Sequence, residues 1–291
     1  MAPYSRRTAL RGAVAAGAGA LGMSVPVAPA AADPGAVRLT VLGSAGAVPT
    51  KTEPCSGYLL ECAGYRLILD LGYAAFPALL RHCRPDDIDA VLITHRHPDH
   101  VADLSPFLRE RAFLREPGLP PVPLYAPPGA LDPVLGLDRA DFLGKPYTVH
   151  AIDPPSTLRL GPFRVDTVSL PHFEPNVGFR ISAGGVTVAY TGDSGPVEQL
   201  ATLARDADLF LAQAMYITQV PEQDRGYMCS AVEAGHFATE AGAAELMLTH
   251  LYLMQGVTPA EAKAAARTTY RGPITVARSG LVWSRRMRQP S

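Results

Sequence analysis

Apolar and polar residues alternate along Val37-Arg38-Leu39-Thr40-Val41-Leu42-Gly43, and this period of two predicts a strand. Two further runs, Gly57 to Glu61 and Tyr65 to Leu71, flank Ala63-Gly64 and predict a hairpin. Helical spacing follows over Ala74 to Cys83, then a strand over Asp89 to Thr94. Val101 to Arg115 reads as one amphipathic helix, with Leu104, Phe107, Leu108 and Leu114 on one side. Residues 116–162 are Pro-rich and yield only two expected strands, Val122 to Tyr125 and Tyr147 to Ile152. Strands are then expected at Phe163 to Leu170, Val186 to Tyr190, Asp208 to Gln213, Leu246 to Leu251, Ile274 to Ala277 and Leu281 to Trp283. Ser230 to Ala241 predicts a helix, because Ser230 followed by Glu233 forms a capping box. Strands and helices are interspersed, so the class is α/β.

Composition adds a core and a targeting segment. Hydrophobic residues make up 47% of the 291 positions and charged residues 18%, enough for one large packed domain and too apolar for disorder. The first 32 residues read differently from the rest. A twin arginine, Arg6-Arg7, precedes a weakly apolar Ala/Gly-rich run from Gly12 to Val27, with small residues suited to cleavage after Ala30 or Ala32. This resembles a twin-arginine (Tat) export signal. It implies the Tat translocase as a partner and a secreted, periplasmic or cell-wall location, with 33–291 as a single catalytic domain. The run is too short and Gly-rich for a stable membrane anchor. The signal holds three arginines and no acid, leaving 23 basic against 27 acidic residues in the remainder. That balance gives no electrostatic footprint for nucleic acid. Cys55, Cys62, Cys83 and Cys229 form no C-x-x-C motif. Four buried thiols are expected, with a Cys55–Cys62 bridge as the alternative.

The candidate chemistry concentrates in Thr94-His95-Arg96-His97-Pro98-Asp99-His100, which carries three of the chain's eight histidines. It follows an apolar strand, and Pro98 argues against a regular helix through it, so a loop at a strand end is expected. Imidazole and carboxylate together suit zinc, with iron or manganese as alternatives.

T-H-R-H-P-D-H resembles the H-x-H-x-D-H signature of the metallo-β-lactamase superfamily. L-G-S-x-G-x-x-P at Leu42, with the hairpin ending in Leu69-Asp70-Leu71-Gly72, is similar to the opening of its ribonuclease Z-like branch. Pro171-His172 before Gly178-Phe179-Arg180-Ile181, Thr191-Gly192-Asp193-Ser194 and Leu246-Met247-Leu248-Thr249-His250-Leu251 match later family segments. The resemblance implies an αββα four-layer sandwich. It implies that His95, His97 and His172 hold one metal, that Asp99, His100 and His250 hold another, and that Asp193 bridges the two. Asp70 and Thr94 are then residues that support the ligands, and Asp99 doubles as a catalytic group. The implied activity is hydrolysis by a water activated between two zinc ions. The substrate would be a small molecule with a phosphodiester, sulfate ester, carboxylic ester or lactone.

Three departures separate the chain from the ribonuclease Z pattern. Met228-Cys229-Ser230 stands where those nucleases have His-Ser-Thr, Gln213 stands where many relatives have glutamate, and no basic Gly-rich insertion is present. His236 reads as a helix-face residue, and His82 and His150 as ordinary imidazoles. A nuclease or cyclic-nucleotide phosphodiesterase is the alternative function. An iron-dependent redox enzyme and a non-catalytic binding protein come after it. A homodimer is left open.

Overall fold

A computed structural model describes residue 33 and residues 35–114, 118–139 and 141–288; the expected export segment lies outside them. The first half of the chain contributes β1 (Ala36–Gly43), β2 (Gly57–Cys62), β3 (Tyr65–Leu71), α1 (Ala75–Leu79), β4 (Ala90–Leu92), α2 (Pro98–Val101), α3 (Leu104–Leu114), β5 (Val122–Ala126), α4 (Asp132–Leu135) and β6 (Tyr147–Ala151). The second contributes β7 (Ser156–Leu160), β8 (Phe163–Leu170), β9 (Asn176–Ala183), β10 (Val186–Tyr190), α5 (Gln199–Leu203), β11 (Leu209–Gln213), α6 (Ala231–Glu240), β12 (Leu246–Thr249), α7 (Pro259–Ala266), β13 (Ile274–Val276) and β14 (Val282–Arg286).

The strands form two seven-stranded sheets, ordered β14-β1-β2-β3-β4-β5-β6 and β13-β12-β11-β10-β9-β8-β7. Each sheet has the same mixed pattern. In the first, β14, β1, β2 and β3 pair antiparallel and β3 to β6 pair parallel. In the second, β7 to β10 pair antiparallel and β10 to β13 pair parallel. No sequence repeat announces this equivalence of the halves.

The period of two explains the layering. Val37, Leu39, Val41, Tyr58, Leu60, Leu67 and Leu69 face inward against Val165, Phe179, Ile181, Val188 and Leu211 of the other sheet, forming the central core. The alternate positions Leu59, Ile68, Val91 and Ile93 face outward and meet Phe76, Leu104, Phe107 and Leu108 of the helices. On the second sheet, Ala189, Phe210, Ala212 and Leu248 pack outward against Leu203, Ala234, Phe237 and Ala266. Strands covered on both faces carry near-continuous apolar runs, as these do. The result is the expected αββα sandwich.

Several expected elements differ in detail. The helix expected over Val101 to Arg115 is broken between α2 and α3. At the break, Asp103 donates its N–H to the Leu71 carbonyl and accepts from the Phe76 N–H at 2.8 Å, which ties it to β3 and α1. Leu114 is 70% exposed, and Arg111 takes the inward position instead, donating to the Pro85 and Pro120 carbonyls. Pro98 does not exclude a helix. It occupies the first helical turn, where a missing N–H costs nothing, so Asp99 and His100 sit on α2 rather than on a loop. The Pro-rich stretch hides α4 and β7, and neither α5 nor α7 was anticipated, although Thr258-Pro259 with Glu261 is a helix start for α7. All four cysteines are free thiols, so no Cys55–Cys62 bridge forms; Cys55, Cys62 and Cys229 are buried as expected, whereas Cys83 is only half-buried.

The capping box at α6 is present as expected. Ser230 Oγ accepts from the Glu233 N–H, and the Glu233 carboxylate accepts from the Ser230 N–H at 2.7 Å. Ser230→Ala should lower unfolding free energy by about 1 kcal/mol. Chemical denaturation checks this: the midpoint should fall with the slope unchanged, and an unaltered midpoint would show that the cap contributes nothing.

Candidate metal centre

The site grows from the carboxyl ends of strands, the place where α/β sheets usually bind ligands. Asp70 is the penultimate residue of β3, His95 and His97 follow β4, and Asp99 and His100 lie on α2. From the second sheet come His172 after β8, Asp193 after β10 and His250 after β12.

The seven expected ligands converge. The available nitrogens of His95, His97 and His172 lie within 4.8 Å of one another, and so do ligand atoms of Asp99, His100 and His250. A third group, His95, His100 and Asp193, links the two. His97 Nδ1 is 3.0 Å from both His95 Nε2 and His172 Nε2. His250 Nε2 lies 3.0 Å from Asp99 Oδ2 and 3.2 Å from Asp193 Oδ2. His172 Nε2 lies 3.9 Å from Asp193 Oδ2, so Asp193 reaches toward both triads.

Around this ring, partners occupy the outward Nδ1 atoms of His95, His100 and His172. Asp70 Oδ1 accepts from the Thr94 N–H, and Asp70 Oδ2 accepts from Thr94 Oγ1, His100 Nδ1 and the Tyr190 hydroxyl at 2.7–2.8 Å. With its proton given to Asp70, Thr94 Oγ1 accepts from His95 Nδ1 at 3.0 Å. His172 Nδ1 donates to the Tyr227 carbonyl at 3.1 Å. In the neutral rings these bonds place the proton on Nδ1 of His95, His100 and His172 and turn Nε2 to the centre. Asp99 Oδ2 also accepts from the Ala47 N–H at 2.8 Å.

Electrostatics fit the same reading. Burial, helped by neighbouring imidazoles, holds His95 well below the usual histidine range. Burial also lowers His97 and His172, outweighing the pull of Asp193. Neutral imidazole is the form that binds a metal. Burial would raise Asp99 and Asp193, but His100 and His250 outweigh it and hold both well below the usual carboxylate range. Burial would likewise lower His100, and the carboxylates Asp193, Asp70 and Asp99 together raise it instead. The same carboxylates would equally attract a divalent cation in place of that proton. His100 Nε2 and Asp193 Oδ1 lie 3.4 Å apart, yet neither makes a hydrogen bond, a costly state for buried polar atoms. Nitrogen and oxygen donors in this number suit divalent zinc.

Backbone shape delivers these side chains. Asp70, Gly192 and His250 have φ of 55°, 57° and 58°, the left-handed region, each at the end of a strand. At Gly192 a side chain is excluded as well, since a Cβ would lie 2.6 Å from Asn176 Oδ1 and 2.7 Å from Thr94 Cβ.

Sequence reasoning missed three supports. Tyr190 bonds Asp70 from the other sheet; its place in the inward alternation of Val186 and Val188 was the available signal. The Tyr227 carbonyl and the Ala47 N–H are backbone groups and left no signal. Gln213, a departure from the family pattern, accepts from the Ser194 and Cys229 N–H groups at 3.0 and 3.2 Å. It ties the Asp193 loop to the 228–230 segment without adding a charge. His236 is exposed on α6 and pairs with Glu240 at 3.4 Å. His150 is also exposed and stacks on Tyr125, away from the centre.

The profile of the Beta-lactamase superfamily domain matches residues 65–251, the span from the start of β3 to the residue after His250. The chain belongs to this superfamily. It is 32% identical to the protein described as "Probable metallo-hydrolase YhfI" of Bacillus subtilis, over 85% of this chain and 99% of that one. The crystal structure of YhfI superposes with a TM-score of 0.77 at 29% identity, over 85% of this chain and 99% of that one. Ribonuclease Z of Myxococcus xanthus is 27% identical over 84% of this chain and 96% of its own length. The short form of human tRNase Z shares the fold, with a TM-score of 0.65 at 24% identity over 84% of this chain and 98% of that one.

Asp70→Asn tests the support beneath the ligands. In either orientation the amide sets an N–H against a donor that now faces a carboxylate oxygen. Metal affinity should fall about 10- to 100-fold with the far-ultraviolet circular dichroism retained. Unchanged affinity in a competition titration with a chromophoric chelator would show that Asp70 does not position the ligands.

Proposed function

We propose that this protein is a metallo-hydrolase that holds two divalent ions, zinc by preference, and cleaves an ester-type bond in a small substrate. His95, His97 and His172 would hold one ion and Asp99, His100 and His250 the other, with Asp193 placed between them. The observation that carries this is the pair of triads meeting at Asp193, with His100 Nε2 and Asp193 Oδ1 buried and unpartnered between them. Bound divalent ions supply Lewis acidity and make a water acidic enough to attack near neutral pH.

The chain's own residues do the rest. The Ala47 N–H donates to Asp99 Oδ2 at 2.8 Å and fixes the carboxylate that would hold the second ion and orient the attacking water. Thr94 and Asp70 hold His95 and His100 in the ligating tautomer, and the Tyr227 carbonyl does the same for His172. Buried walls exclude bulk water from the centre and strengthen its electrostatics.

The description of YhfI as a metallo-hydrolase supports the reaction class. The twin arginine supports export of the folded, metal-loaded chain through the Tat translocase to a location outside the cytoplasm. No helix of the described residues is long and apolar enough to cross a membrane.

A second reading, a nuclease or cyclic-nucleotide phosphodiesterase, is favoured by one feature. Phe173 and Tyr227 are exposed and stack at 4.7 Å beside His172, where a base could lie on them. Against it, Cys229 is buried where ribonuclease Z-like nucleases have their His-Ser-Thr, and the charge balance is acidic.

Residues 33–291 should bind two zinc ions per chain and turn over one of bis-p-nitrophenyl phosphate, a p-nitrophenyl sulfate, a carboxylic ester or a lactone. Asp193→Ala should lower metal content and turnover together, and full metal with full turnover would remove its bridging role. Strongly salt-dependent binding of RNA with RNA cleavage would favour the second reading.

A further inference from the structure

A cleft of about 340 Å³, open solvent included, lies at the same edge of the sandwich as the metal centre. Arg96, Glu174 and Pro175 line one side and the 127–130 turn, with Pro127, Pro128 and Gly129, lines the other. Its position follows from the chain. Arg96 lies between His95 and His97, so its Cα is about 3.8 Å from that of each. Glu174 follows His172 by two residues, and the 127–130 turn leaves the carboxyl end of β5, beside the end of β4. Three prolines stiffen the walls, so the cleft is preformed.

Arg96 is the one charged group of positive sign in this lining. It contacts Glu174 at 3.9 Å, a distance too long for a hydrogen bond, and makes no hydrogen bond among the described residues. A guanidinium carries five N–H donors in a planar fork that matches carboxylate and phosphate oxygens. Other arginines of this protein use that fork: Arg164 on Asp166, Arg288 on Asp208 and the Gly185 carbonyl, Arg111 on two carbonyls. Arg96 has its fork open, 47% exposed, on a segment whose neighbours are fixed at the centre.

We propose that Arg96 binds an anionic group of the substrate, carboxylate or phosphate, separate from the bond being cleaved. The cleft holds that group while the ester sits at the metal centre. Glu174 is the internal competitor: it keeps the guanidinium directed into the cleft and yields it to a tighter anion. The substrate is therefore an ester with a second negative charge a short arm away from the scissile bond. This rests on the hydrolase reading and narrows its substrate class. A lining of two charges and otherwise short apolar groups gives a polymer no track of contacts, so a small acid fits it.

The test uses a matched pair of phosphodiesters, ethyl p-nitrophenyl phosphate and 2-carboxyethyl p-nitrophenyl phosphate, which differ by one carboxylate. Binding to the zinc-loaded protein is measured by calorimetry and turnover by release of p-nitrophenolate. The carboxyethyl ester should bind at least 10-fold more tightly than the ethyl ester. Arg96→Gln should bring that ratio to within 2-fold of unity with zinc content unchanged, and Glu174→Gln should raise it. Equal binding of the two esters by the unaltered protein, or a preference that survives Arg96→Gln, overturns the proposal. If neither ester is hydrolysed, the phosphodiesterase form of the hydrolase reading fails, and the binding ratio still decides the role of Arg96.

Discussion

The centre depends on one buried carboxylate. Asp70 sits on the first sheet and accepts the Tyr190 hydroxyl from the second, so a single residue joins the two halves at the level of the candidate metal ligands. The same carboxylate takes the Thr94 N–H, the Thr94 hydroxyl and His100 Nδ1. It therefore fixes where the His95–His100 segment begins and which nitrogens of His95 and His100 face inward. Buried charge-assisted bonds of this kind are strong, and losing one partner leaves the others unsatisfied. Tyr58 repeats the device one layer away. Its ring packs edge-on against Tyr190 at 5.1 Å, and its hydroxyl bonds Thr249 on the opposite sheet, immediately before His250.

That arrangement costs backbone energy. Asp70 and His250 are non-glycine residues in the left-handed region, a state worth about 1–3 kcal/mol each. The central core and the interlocked hydrogen bonds hold them there. The reward is geometric: an extended strand alternates its side chains between two faces, whereas a left-handed residue at the strand end swings its side chain to the sheet edge. The equivalent strand patterns of the two sheets bring those edges together, so each half supplies ligands to both triads. Seven donor side chains are brought to one place this way from strand ends, short loops and the first turn of α2 on a rigid frame.

Much of this was legible in the sequence because the chemistry is written in rare residues. His95, His97, Asp99 and His100 stand in one short run, and His172, Asp193 and His250 each follow an apolar strand, so their types and positions marked them as candidate ligands before any geometry. The strands of both halves were legible for the same reason: period-two alternation is a direct consequence of a sheet with two packed faces. What was not legible depended on tertiary contacts. The break between α2 and α3 comes from Asp103 reaching to β3 and α1, which no local pattern reports. The inward turn of Arg111 depends on two distant carbonyls. Alanine-rich α7 has too little contrast between its faces to announce itself, and the backbone partners of Asp99 and His172 have no side-chain signature at all. The export segment at 1–32 lies outside the described residues.

The central claim is that Asp193 stands between two metal positions built by separate triads. Anomalous diffraction at the zinc edge, on crystals grown with zinc, tests it most directly. The account predicts two peaks about 3.5–4 Å apart. One should be surrounded by His95, His97 and His172 and the other by Asp99, His100 and His250, with the Asp193 carboxylate touching both. A single peak at full occupancy, or peaks away from these residues, would contradict it.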